Sequence, residues 1–303
     1  MADNSAAQEP GAGGFGAAAD ATTMRGIGLM VLAMFVLACM DTISKHLASS
    51  YPVPQILAVR FMVFCVLALI VVRPRSLADA FRTRYPGLQI ARSLVITVEV
   101  GVFVLAFRYL PLAEVHAIAG VAPLLVTALA VVFLGEQVGP RRWGAVAVGF
   151  IGLLIVVRPG SGAMSWAAAI PFVGAILWAI YQILMRKVKD DPAGTSLLYM
   201  AFVGAVVMGA LAPFFWQPPD AAGWFWLLAL GVVGSVGHFI LIKAFQLAAA
   251  SVLQPFHYVV LLWATLLGFL VFGDLPDLPT IVGGLIIAFS GIYVFYRENR
   301  RRR

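Results

Sequence analysis

The chain has 303 residues, of which 62% are hydrophobic and 12% charged, and its mean hydropathy is +0.95. Soluble domains carry about a quarter of their residues as charges, so this composition excludes an ordinary soluble protein and places the chain in a bilayer. The net charge of +7 comes from cations lying between and after apolar runs, a pattern of membrane orientation rather than of a nucleic-acid surface.

In chain order, residues 1–25 are rich in Ala and Gly and lack periodicity, and are expected to form a flexible cytoplasmic tail rather than a signal peptide. Ten apolar runs follow, at 26–47, 54–72, 90–110, 114–134, 142–158, 166–185, 196–216, 223–246, 251–272 and 279–297, and a basic tail closes the chain at 298–303. About twenty apolar residues are needed to cross about 30 Å of hydrocarbon. The runs are continuous rather than alternating, which excludes a strand barrel. Cys39 and Cys65 both lie inside apolar runs and read as packing residues, without disulfide or metal-ligand spacing.

Cation placement sets the direction. Arg25, the group Arg73, Arg75, Arg82, Arg84 and Arg92, then Arg141, Arg142, Arg186, Lys187, Lys189, Lys243 and the tail arginines fall on one side, seventeen of the twenty-one. Lys45, Arg60, Arg108 and Arg158 are the remainder. By the positive-inside rule both termini are cytoplasmic, and nine or eleven spans would spoil the segregation.

The chain also repeats itself. Phe133-Leu134-Gly135-Glu136 recurs as Val271-Phe272-Gly273-Asp274, with Gly135 and Gly273 offset by 138, while Gly144 and Gly152 match Gly283 and Gly291 at an offset of 139. Repetition of a hydrophobic unit of this size is how many secondary transporters are built. Five spans per unit is odd, so the second copy enters the membrane inverted. The expected fold is therefore an all-α integral membrane protein, with ten transmembrane helices arranged as two inverted five-helix repeats at 26–158 and 166–297.

An ionisable group near the bilayer centre costs roughly 2.5 to 3.5 kcal/mol on insertion scales, so each one needs a partner or a wet cavity. Asp41 and Lys45 stand four apart on span 1 and read either as a mutually neutralising pair or as substrate contacts. Arg60 on span 2 needs an anionic partner, and Glu99 on span 3 is the obvious one; Glu99 reads either as half of a structural pair or as a proton carrier. His116, His238 and His257 are either hydrogen-bonded packing residues or ligands. Spans 4 and 9 each combine a histidine with a proline, His116 with Pro123 and His257 with Pro255, and proline frees polar backbone that must face protein or water. Gln254, His257 and Tyr258 form the strongest single cluster for substrate contact. On span 6, Trp178, Tyr181 and Gln182 follow Pro171 and read as a polar edge on an aromatic surface or as interfacial belt residues; Trp263 reads as lining or lipid-facing. The glycines of spans 5 and 10 read as scaffold, and Glu136 and Asp274 as packing corners or hinges.

No phosphate-cradling Gly-x-x-x-x-Gly-Lys loop, His-Glu-x-x-His zinc site or Gly-x-Ser-x-Gly elbow is present. Neither an enzyme nor a cofactor- or metal-dependent protein is expected.

Taken together, Asp41-x-x-Ser44-Lys45, Arg60-Phe61, Ala122-Pro123-Leu124, Leu134-Gly135-Glu136, Arg141-Arg142-Trp143-Gly144, Gly149-Phe150-Ile151-Gly152, Phe272-Gly273-Asp274 and the glycines from Gly283 to Gly291 resemble the drug/metabolite transporter superfamily in its EamA-type branch, over about 26–297. The resemblance implies a ten-helix inverted-repeat fold with spans 5 and 10 as scaffold around a central cavity. Pro255-Phe256-His257-Tyr258, with the turn from Phe272 to Asp277, is similar to the branch holding bacterial riboflavin uptake permeases and S-adenosylmethionine carriers. Asp274 replaces the family's usual glutamate, and Leu261 stands where Pro123 aligns. The expected partners are a small-molecule substrate and the lipid of the cell inner membrane, with a homodimer left open. Riboflavin, a planar and largely uncharged heterocycle, suits a cavity with aromatics and few net charges; S-adenosylmethionine, or an exported amino acid or drug, is the alternative.

Overall fold

A computed structural model describes residues 12–73, 76–135, 139–158, 164–188, 190–248, 253 and 256–302. The described residues form helices and no strand: α1 (Ala12–Ala48), α2 (Val53–Val72), α3 (Pro86–Phe107), α4 (Leu112–Ala119), α5 (Ala122–Leu134), α6 (Pro140–Val157), α7 (Met164–Lys187), α8 (Ala193–Leu211), α9 (Ala221–Leu247), α10 (Val259–Leu267) and α11 (Leu278–Arg302). A single turn, Leu77–Ala80, lies between α2 and α3; a 3-10 turn, Ala212–Phe215, extends α8; and a π turn, Gly268–Phe272, extends α10. Helix is the outcome hydrocarbon allows, because each backbone group must be satisfied within its own segment. Prolines stand in the first turns of α2, α3, α5 and α6, where a missing N–H loses nothing, while Pro171 lies inside α7.

Seven of the helical segments are long and apolar enough to span, and three shorter apolar helices, Trp143–Val157, Val259–Phe272 and Leu278–Val294, fall at the expected spans 5, 9 and 10. Span 4 is not one rod. It breaks at Gly120 and Val121, between α4 and α5, just ahead of Pro123. The helix of span 1 begins at Ala12, fourteen residues before the expected start at 26, so part of the segment read as a tail is helical. Alanine has the highest helix propensity, and a continuous helix downstream removes the nucleation cost.

The packing follows the repeat. The most extensive helix pairs are α1 with α9, α6 with α11, α2 with α8, and α3 with α7. Exchanging each helix for its repeat mate turns α1–α9 into α7–α3 and leaves α2–α8 and α6–α11 as they were, so the contact pattern carries the duplication seen in the sequence. The two echoed turns share a backbone as well: Gly135 has φ +66° and Gly273 φ +72°, left-handed conformations that favour glycine. At the α6–α11 contact the helices touch through backbone, and a Cβ on Gly283 would lie 2.5 Å from the Gly152 carbonyl oxygen.

The outer surface is hydrocarbon-facing. Phe214 is 81% exposed and Val132 74%, alongside many other exposed Leu, Val and Phe side chains; on a soluble protein such a surface would aggregate. Gly283→Ala forces the α6–α11 backbones apart and should lower thermal stability in detergent by about 1–3 kcal/mol, the usual range for overpacking. Gly144→Ala, where nothing lies within 4 Å of the added carbon, should not lower it; a fluorescence-detected melt of both variants is the check.

Candidate functional site

The burial pattern of α3 locates the polar interior. Gln89, Arg92, Ser93 and Thr97 are at most 1% exposed, whereas Ile90, Leu94 and Val98 on the other face are 39–49% exposed. Amphipathicity is thus inverted relative to a soluble helix: the polar stripe faces the bundle and the apolar stripe faces lipid. Glu99 continues the buried side at 6% exposure.

Deep in the bundle, Asp41 on α1, Arg60 on α2, Glu99 on α3, His116 on α4, His238 on α9 and His257 just before α10 form one electrostatic neighbourhood. Arg60 feels both Asp41 and Glu99, His238 feels Arg60 and Asp41, and His257 feels His116. His116 Nε2 lies 3.2 Å from Asp41 Oδ2, at ion-pair distance though not aligned as a hydrogen bond. His238 Nδ1 is 2.8 Å from the Gly234 carbonyl oxygen, which orients its ring against Phe64. Phe107 stands 6.1 Å from the His116 ring.

Several sequence expectations change here. Asp41 and Lys45 do not neutralise each other: Asp41 faces His116, and Lys45 Nζ lies 2.5 Å from Asp274 Oδ2. Helical spacing made the i, i+4 pair available, but a partly buried carboxylate from the other repeat binds the lysine. Asp274 is therefore an ion-pair partner and not merely a packing corner. Arg60 and Glu99 share a field without a direct ion pair, since among the described residues the salt bridges join other groups. The Tyr258 hydroxyl lies 3.4 Å from the Gly120 carbonyl oxygen, and a Cβ on Gly291 would clash with it. It wedges span 9 against the break in span 4 and against α11. Trp263 packs inward rather than on lipid, edge-on to Phe35 at 5.0 Å, with its indole N–H buried and lacking an acceptor among the described residues. A bound polar atom would satisfy that donor. Gln182 is half-buried on α7 beside Tyr181. Gln254, Pro255 and Glu136 lie outside the described residues.

Each end of the bundle holds a polar network that composition and spacing left unread. At one end, Arg92 is 1% exposed, not the loop cation its place in the count implied. It donates to Gln89 Oε1 at 2.9 and 3.1 Å, to the Ser196 carbonyl at 2.5 Å and to the Tyr181 hydroxyl at 3.2 Å. Tyr181 is thereby engaged within the bundle, under the Arg92 guanidinium, and is not a belt residue. Gln89 donates on to Asp191 at 2.8 Å, and Thr83 donates to the same carboxylate. The i, i+3, i+4 spacing of Gln89, Arg92 and Ser93 was the available signal. At the other end, Lys45–Asp274 and Arg158–Asp277 bridge elements of both repeats, with Glu114 buried among these four charges. An apolar groove of about 590 Å³ lined by Met62, Val63, Pro213, Trp216 and Trp224 lies on α2, α8 and α9, away from the central cluster. It has the lining of a lipid-facing surface, not of this site.

A duplicated helical bundle that turns its polar groups inward has the architecture in which many secondary transporters are built. The chain belongs to the EamA-like transporter family, whose sequence profile matches residues 24–158 and again 164–297. It is 28% identical to a riboflavin transporter of Rhizobium johnstonii over 90% of this chain and 92% of that one. It is 26% identical to a riboflavin transporter of Vibrio cholerae (90% and 94%) and 27% identical to an S-adenosylmethionine uptake transporter of Rickettsia felis (92% and 95%). A solved crystal structure with 19% sequence identity superposes with a TM-score of 0.62, covering 92% of this chain and 99% of the other, and so shares the fold.

Arg92→Met removes the donor that three buried acceptors share, and each orphaned group costs about 1–3 kcal/mol. The variant should melt well below wild type in detergent even where substrate is absent. Asp191 tests the same network by pH. Hydrogen bonds from Thr83 and then Gln89 hold its carboxyl below the usual aspartate range. A lowered folded value means that the contribution is complete above the unfolded pKa of about 3.9 and is lost as pH falls below it. Melting curves of wild type and Asp191→Asn should therefore differ at neutral pH and converge on acidification from pH 5 toward 3.

Proposed function

We propose that this chain is a secondary-active permease that moves a small metabolite across the cell inner membrane by alternating access. The observation that carries this reading is the convergence of Asp41, Arg60, Glu99, His116, His238 and His257, from both repeats, between two polar networks that tie opposite ends. The spans number ten, with α6, α10 and α11 crossing as the short members, in inverted repeats at 26–158 and 166–297. Both termini are cytoplasmic, so the Arg92 network lies at the inner mouth and the Lys45–Asp274 end at the outer. The contact residues are the six above, with Trp263 as a donor and Gln182 and Tyr181 at the inner rim.

Riboflavin uptake is the leading activity. A planar flavin stacks on rings, as Phe64 and Phe107 with their neighbouring imidazoles permit, and takes few hydrogen bonds; the relatives from Rhizobium and Vibrio support it. S-adenosylmethionine is the second reading, favoured by one observation: Lys45 is held by Asp274, which leaves Asp41 able to meet a sulfonium cation. Export of an amino acid or drug remains the wider alternative.

Expression in a riboflavin-requiring bacterium should restore growth at low external flavin, and failure with correct insertion removes riboflavin. Radiolabelled S-adenosylmethionine uptake by the same cells decides the second reading. If Glu99 carries the coupling proton, Glu99→Gln should insert and fold normally yet lose accumulation against a gradient while retaining exchange. Loss of the folded protein instead would mark Glu99 as structural.

A further inference from the structure

The end of the bundle that holds Lys45 has a property that a simple clasp lacks. Lys45 sits in the last turn of α1, with its Nζ 2.5 Å from Asp274 Oδ2 and 4.7 Å from the centre of the Phe272 ring. Asp274 follows Gly273, whose left-handed φ of +72° ends span 9 after the π turn Gly268–Phe272. Side-chain exposures of 15% and 31% mean that the pair is shielded but not sealed. One helical turn back on α1 stands a second carboxylate, Asp41, whose present neighbour is His116 at 3.2 Å. Residues four apart on a helix have Cβ atoms about 5–6 Å apart, within reach of a flexible lysine. Glu114, in the first turn of α4, is the third carboxylate within the field of Lys45.

A cation in this partly shielded setting is favoured by a carboxylate partner, because an unpaired charge there is desolvated without compensation. The turn 273–277 belongs to the second repeat and α1 to the first, so any opening of this mouth must separate Asp274 from Lys45. We infer that Lys45 is a two-position gating residue: with the mouth shut it binds Asp274, and when the 273–277 turn moves away it swings back one turn onto Asp41.

The exchange links the mouth to the cavity. While Lys45 is on Asp274, the Asp41 carboxylate is available to His116 and to a bound ligand. When Lys45 moves to Asp41, that carboxylate is neutralised and a ligand cation or hydrogen-bond donor held there is displaced. The same event that opens this face thus weakens the hold on cargo. Asp277 lies in the same 273–277 turn and pairs with Arg158 of the first repeat, so the movement that frees Lys45 parts this second cross-repeat ion pair as well.

The inference rests on the transporter reading for its meaning, but its test needs neither substrate nor transport. Thermal melts of the full chain in detergent, for Asp274→Asn, Asp41→Asn and the double variant, give the coupling between the two carboxylates. In Asp274→Asn the lysine finds Asp41, so that variant should lose little; in Asp41→Asn it keeps Asp274, and the loss is that of the Asp41 interactions with His116 and Arg60. The double variant should lose clearly more than the sum of the two, and in a Lys45→Met background the excess should vanish. Hydrogen exchange provides the independent readout: the amides of 268–277 should exchange about tenfold faster in Asp274→Asn than in wild type, as local opening predicts. Additive losses for Asp41 and Asp274 overturn the switch and leave a static clasp. An excess that appears with Glu114→Gln in place of Asp41→Asn overturns Asp41 as the second position. Intact coupling in a chain that transports nothing would sink the transporter reading alone.

Discussion

Hydrocarbon offers no hydrogen bonds, and nearly every feature of this molecule follows from that constraint. It makes helix the form of every span. It inverts the sidedness of α3, so that Gln89, Arg92, Ser93 and Thr97 face protein while Ile90, Leu94 and Val98 face lipid. Most of the polar groups that remain are bound to one another, which is why the interior consists of networks rather than scattered charges. Those networks occupy three levels: Arg92 and its acceptors at one end, the Asp41–Arg60–Glu99–histidine cluster at the centre, and the Lys45 and Arg158 pairs at the other end.

Much of the architecture was legible because it depends on patterns that hydrophobicity and glycine write locally. The 138-residue echo of Gly135 in Gly273 returned as two left-handed turns, and the glycines of spans 5 and 10 returned as a backbone contact between α6 and α11. The break in span 4 was signalled by Pro123, though it falls two residues earlier, at Gly120 and Val121, because proline disrupts the turn that precedes it. The helical start at Ala12 was less legible, since alanine and glycine without periodicity carry no sign of what the backbone does.

The buried ionisable residues were legible in the sequence, whereas their pairings were not. Counting ionisable residues inside apolar runs found Asp41, Lys45, Arg60, Glu99 and the histidines, but partners are tertiary facts that spacing cannot supply. Lys45 has a carboxylate four residues away and binds one 229 residues away. Arg92 was misplaced for a related reason: an arginine near the start of a run looks like a loop cation until its neighbours Gln89 and Ser93 are seen to share its face. Tyr258, next to a histidine and a proline in sequence, packs against Gly291 of α11, a tertiary neighbour that spacing does not reveal.

The contact between α6 and α11 joins repeat mates, as does that between α2 and α8. A contact between mates must straddle the pseudo-twofold axis that relates the halves, and an exchange of conformations between the halves returns such a contact to itself. In the alternating-access reading proposed above, these two helix pairs map onto themselves when the halves trade conformations. The pairs α1–α9 and α3–α7 map onto each other instead. In that reading, cargo in the centre would meet walls of two kinds, one built from self-mapped pairs and one from pairs that trade roles.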